Sequence, residues 1–125
     1  MSFDVSRTTG AAWVVFTPVG ESAPQLYSLS LGTGALTFRG QLPIAQTVAA
    51  FALGPVASGA ELGVDLVGLT VDGELVTFPS DHPTLVTRRV TVTGLAPGDE
   101  LVAIDTRASN GRLYGLGRQG RIYVL

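Results

Sequence analysis

The chain has 125 residues, 46% of them apolar and only 14% charged, with a formal net charge of −2, one histidine and no cysteine. Its eight basic residues form no run longer than Arg88-Arg89, which argues against a nucleic-acid face, and no apolar stretch nears the roughly 18 residues that span a bilayer as a helix. Without thiols there are no disulfides, thiolate metal sites or cysteine nucleophiles, and residues 1–10 lack the basic start and apolar core of a signal peptide. The reading is therefore a cytoplasmic chain, or one whose leader is absent.

In chain order, FDVSRTTGAAW (3–13) reads as a strand, a Gly10 turn and the start of a second strand. QLYSLSLGTGALTFRG (25–40) is a hairpin that turns at Gly32-Thr33-Gly34. TVAAFAL (47–53) is almost uniformly apolar, as a strand buried on both faces should be. The stretch 44–53 is the only tempting helix, but it is short, has no acidic cap and is closed by Gly54-Pro55. LVGLTVDGELVTF (66–78) is a hairpin around Asp72-Gly73, a strong turn signal because both residues can take positive φ. VTVTG (90–94) alternates with period two, and the segment 100–125 carries a further hairpin around Gln119-Gly120.

These segments repeat one another. LVGLTVDGELVTF aligns without a gap on LYGLGRQGRIYVL (113–125), bringing Leu66 over Leu113, Gly68 over Gly115, Leu69 over Leu116 and Gly73 over Gly120. FDVSRTTGAAW aligns on IDTRASNGRLY (104–114), with Asp4 over Asp105, Gly10 over Gly111 and Trp13 over Tyr114. LTFRG (36–40) resembles VTVTG. The result is a single all-β domain over 1–125, with repeats at about 3–42, 47–95 and 100–125. Four-stranded repeats of this length fit β-propeller blades better than a sandwich or solenoid. The chain then amounts to about three blades, a half propeller whose last blade lacks its outer strand.

The segment 66–125 also resembles a bacterial propeller-like family known as domain of unknown function four-three-nine-four. The likeness rests on the Asp105-to-Gly111 spacing, on Tyr114-Gly115-Leu116 and on Gly120-Arg121-Ile122-Tyr123. PQLYSLSLGTGALTFRGQLP (24–43) resembles the closing part of the same family's domain, so the family's ending here precedes its beginning. That order implies a circular permutation, a cut across two tandem domains or a half-length relative. The resemblance carries no activity or catalytic residue. Many members of the family look secreted, which is its one hint about location.

Candidate chemistry is sparse. Asp4 and Asp105 recur in two repeats, at the end of the inner strand, where a ring of carboxylates would bind a cation. Ala52 holds the comparable place in the middle repeat, so the ring is incomplete, and the favoured reading is that each Asp caps backbone N–H groups of its own loop. Asp65, Asp72 and Asp81 lie in turns without a calcium-loop pattern. His82, in Ser80-Asp81-His82-Pro83, reads as an exposed turn with no partner for acid–base work. Arg107, Arg112, Arg118 and Arg121 make the third repeat basic, as a solvated rim or as a contact for an acidic partner. Trp13, Tyr27, Tyr114 and Tyr123 are expected to fill space between blades rather than to stack on sugars. No GxSxG, HExxH or P-loop occurs.

The expectation is a non-enzymatic structural or interaction module, without cofactor or metal and without nucleic-acid or membrane partners. Three blades fall short of a closed ring, so two apolar end faces need covering, by a second copy that gives about six blades or by a complementing chain. The segment Arg121, Ile122, Tyr123, Val124 and Leu125 offers an unpaired strand edge for a partner. Asp4, Asp105 and Arg107 are the channel or loop candidates. The alternative is a carbohydrate or metal-binding propeller module. Val67 and Leu116 are both expected to be buried.

Overall fold

The computed structural model describes residues 2–5, 11–53 and 64–125. Gly10 and the Gly54-Pro55 stop lie outside the described residues. Within them there is no helix; the structure is eleven strands in three antiparallel sheets.

The first sheet has the order β1-β2-β3-β4, with β1 Ser2–Val5, β2 Ala12–Phe16, β3 Gln25–Leu29 and β4 Leu36–Gln41. The middle sheet is β5-β6-β7-β8, with β5 Val48–Leu53, β6 Asp65–Thr70, β7 Glu74–Pro79 and β8 Arg88–Thr91. The third has three strands, β9 Leu101–Arg107, β10 Arg112–Gly117 and β11 Ile122–Val124. Every sheet is a meander that starts at its inner strand. β5 lies beside both β1 and β9, so the three sheets are stacked face to face along a line of inner strands.

The turns explain the meanders, with one correction. Gly73 (φ 80°) and Gly120 (φ 80°) take positive φ, but among the described residues no residue other than glycine does. Asp72 and Gln119 therefore do not adopt the doubly left-handed turn. Gly73 N–H bonds to Thr70 O at 3.1 Å and Gly120 N–H to Gly117 O at 2.9 Å, so each hairpin closes as an ordinary turn followed by a left-handed glycine.

The core has two layers. Between the first and middle sheets, Val15 and Leu26 meet Phe51, Leu66, Val76 and Phe78, with Trp13 packed at the margin. Between the middle and third sheets, Ala50, Ala52, Val67 and Leu69 meet Ile104, with Leu101 and Leu113 alongside. The stretch 44–53 holds no helix: its residues 48–53 are β5, and the apolar run there is what a strand covered on both sides needs. A register shift between Val48 and Ala50 turns those two residues to opposite layers, although they stand two apart. β6 is tightly packed at Gly68: a Cβ there would stand 3.2 Å from Val76 Cγ2 and 3.4 Å from Val48 Cγ1.

Candidate protein interface

Among the described residues the inner edge of β5 has no backbone partner strand, and side chains from both neighbouring sheets bond to it. Phe51 N–H donates to Ser2 Oγ at 2.9 Å and Leu53 N–H to Asp4 Oδ2 at 2.8 Å, both from the first sheet. From the other side, Thr106 Oγ1 donates to the Leu53 carbonyl in a short bond. Asp4 also caps locally, its Oδ1 accepting from Val5 N–H at 2.7 Å. It is therefore more than the cap of its own loop: it joins two sheets. Asp105 sits in the same register, paired with Tyr114 as Asp4 is with Trp13, yet it is exposed and bonds to nothing among the described residues. The two carboxylates form no ring. Among the described residues no three His, Asp or Glu side chains gather as metal ligands.

The third sheet repeats the middle one side chain for side chain. Leu116 pairs with Ile122 and Tyr114 with Val124, as Leu69 pairs with Leu75 and Val67 with Thr77. In the middle sheet this face is covered by the third, and Leu69 is 0% exposed. In the third sheet no described element covers it. Leu116 is 42% exposed, Ile122 73% and Val124 59%. The expected burial of Leu116 is thus wrong for the single chain. Its strand is as expected, but its side chain points to the open side. Val67, at 7% exposure, is buried as expected.

A second open face lies at the other end. Val15 and Leu26 turn toward the middle sheet, so strand alternation sends Phe16, Tyr27, Leu29, Leu36 and Phe38 the other way. Phe16 and Tyr27 stack with centroids 4.8 Å apart, and Tyr27 meets Phe38 edge-on at 5.6 Å. Phe38 and Leu36 remain exposed. Of the four aromatics expected between repeats, only Trp13 fills such a space. Tyr27 and Tyr114 stand on the open faces, and Tyr123 serves a loop.

That loop is held by a residue the sequence reading did not single out. Asp99, whose side chain is fully buried, accepts from Gln119 N–H and Glu100 N–H, each at 3.0 Å, and from Tyr123 Oη at 2.7 Å. Tyr123 Oη in turn accepts from Ala96 N–H at 3.2 Å. The Gln119 and Tyr123 bonds, aided by Glu100 N–H and Arg121, hold the Asp99 carboxyl below its ordinary value against the opposing effect of burial. Gly117 makes this possible, because a Cβ at that position would collide with Asp99 Oδ2. The only sequence signal was that glycine, three residues before Gly120 and one after Leu116.

The remaining candidates are dispersed. His82 Nδ1 lies 3.1 Å from Asp81 Oδ2, so it does have a partner, though both stand on an exposed turn. Arg118 pairs with Glu100 at 2.5 Å and Arg121 lies 3.8 Å from Asp99, so two of the four third-sheet arginines are partnered by carboxylates. Asn110 donates to Tyr114 Oη at 3.1 Å and, with Arg107, lowers the pKa of that phenol. On the other strand edge, β11 pairs with β10 alone among the described residues, and none of them pairs with the backbone of 122–124 on its outer side.

Residues 74–125 match the family described as Domain of unknown function (DUF4394). The matched region takes in β7 to β11, and with them the open face and its Asp105. It falls within the stretch on which the sequence resemblance rested. No curated protein matches the chain. Among solved structures, the crystal structure of Chaetomium thermophilum Raptor is similar, with a TM-score of 0.62 at 15% identity. The likeness covers 98% of this chain and 10% of that one, so it bears on the arrangement of the three sheets and on nothing beyond it.

Proposed function

We propose that the chain is a non-enzymatic half-propeller, three blades that close a ring of about six with a second copy. The observation that carries this reading is the contrast between Leu69 and Leu116. Two residues in the same register of successive repeats are 0% and 42% exposed; the first has a sheet packed on it and the second, among the described residues, has none. Apolar side chains clustered on one sheet face are a recognised mark of an interaction surface. The open aromatic face of the first sheet supplies the opposite surface, so a two-fold ring would cover both at once. The likeness to part of the Raptor structure supports a fold built from three successive sheets.

Light scattering behind a sizing column tests the reading. A species of twice 12.9 kDa is expected, with loss of apolar dye binding as it forms. A chain that stays at 12.9 kDa across the accessible concentration range would overturn it.

A second reading has its own observation, the bare outer edge of β11. Residues Arg121 to Leu125 would take a strand from a complementing chain by β-augmentation, supplying the fourth strand that the other two sheets possess. A synthetic peptide with the sequence of β8 and its flanks, added to the chain, would bind and raise its melting temperature if this holds.

A further inference from the structure

We infer that Asp105 is a clamp for the second copy, accepting the backbone N–H of that copy's Val5. The inference rests on the half-propeller reading and adds the register in which the copies meet.

Asp4 shows what this position does when a sheet follows it. Its carboxylate leaves its own sheet and takes Leu53 N–H at the end of the next inner strand. The middle sheet has Ala52 in the same register, paired with Val67, and it forms normally. A carboxylate is therefore not needed there for the sheet's own folding. Where Ala52 cannot reach across, the next sheet provides the link itself, through Thr106 Oγ1 to the Leu53 carbonyl. Asp105 is the first sheet's device again, placed on the face that no described sheet covers, and without a bond among the described residues.

The occupant follows from the repeat. Leu53 comes directly after Ala52, and Val5 directly after Asp4, so Val5 is the first sheet's counterpart of Leu53. No described sheet precedes the first one, and its Val5 N–H is taken by its own Asp4 Oδ1 at 2.7 Å. On docking that N–H passes from Asp4 Oδ1 to the incoming Asp105, while Asp4 keeps its bond to Leu53 N–H through Oδ2. When a second copy docks its first sheet on the open face of the third, Asp105 stands to that Val5 as Asp4 stands to Leu53. Tyr114, Leu116, Ile122 and Val124 would meet the aromatic face around Tyr27 and Phe38 in the same contact. A two-fold ring makes this clamp twice.

The test compares dimer dissociation constants, by sedimentation or light scattering over a dilution series, for the native chain, Asp105→Ala and Asp105→Asn. Asp105→Ala is expected to raise the constant by roughly 10-fold or more, since a charge-assisted bond is lost at both junctions. Asp105→Asn, which keeps an acceptor oxygen, should fall between. Melting of the dilute monomer should be unchanged, because the Asp105 carboxylate holds nothing among the described residues, whereas Asp4→Ala should lower that melting. An Asp105→Ala dimer as tight as the native one would overturn the clamp and leave the half-propeller standing. A native chain that never dimerises would overturn both.

Discussion

Leu53 is held from two sides: its N–H donates at 2.8 Å to Asp4 Oδ2, 49 residues earlier in the chain, and its carbonyl accepts from Thr106, 53 residues later. One peptide position on the inner edge of the middle sheet thus joins all three sheets. The bonds matter because β5 is apolar on both faces and, among the described residues, pairs along only one edge. Its unpaired N–H and C=O groups would otherwise face a partly buried space without partners.

Removing the carboxylate should expose that dependence. Asp4→Ala leaves Leu53 N–H and Val5 N–H without their acceptor and should cost about 2 kcal/mol, the scale of a hydrogen bond to a charged group. Asp4→Asn should cost less, since an amide oxygen can still accept. Urea unfolding of the dilute chain gives both values, and equal losses for the two variants would show that charge, not acceptance, is what counts.

Thr106→Val keeps the shape of the side chain and deletes only the donor to Leu53. A loss of about 1 kcal/mol is expected, with Thr106→Ser close to the native chain. The same unfolding measurement checks it. A neutral Thr106→Val would mean that the short contact contributes nothing beyond packing.

Asp99 predicts a pH dependence. Its folded pKa lies below the ordinary carboxyl value of 3.8, so near that pH the folded chain binds fewer protons there than the unfolded one. Its contribution is then fully present above pH 3.8 and is lost as pH falls from there through the lower folded value. Asp99→Asn should be less stable than the native chain at neutral pH, and the gap should narrow in strong acid. Paired denaturation curves at neutral pH and well below pH 3.8 would show it, and a gap that widened in acid would contradict the sign.

A charge at each of two equivalent leucines separates folding from association. Leu69→Glu buries an unpaired carboxylate between the middle and third sheets and should unfold the chain. Leu116→Glu places the same charge on an open face. The chain should keep its native circular dichroism spectrum and fail to dimerise. Equal loss of structure in both variants would show that the face of the third sheet is covered within the single chain.

Much of the architecture was written in the order of residues. Period-two alternation in 75–78 and 90–93, glycines at the turns and an apolar run at 47–53 are local signals, and local backbone sterics act on them wherever the chain lies. The repeat registers were legible for the same reason: Leu69 over Leu116 and Asp4 over Asp105 are alignments along the chain, and strand pairing preserved them. What each of those residues does was decided only in three dimensions. Whether Leu116 is buried depends on the presence of a following sheet, and whether Asp4 caps its own loop or reaches Leu53 depends on which strand lies beside it. Asp99 went unseen because its partners, Gln119 and Tyr123, are 20 and 24 residues away and meet it only when the third sheet closes over the loop. Sequence determined the strands and their repetition, since these are properties of neighbouring residues; the tertiary structure decided burial, bonding and the open faces, since these are properties of what packs against them.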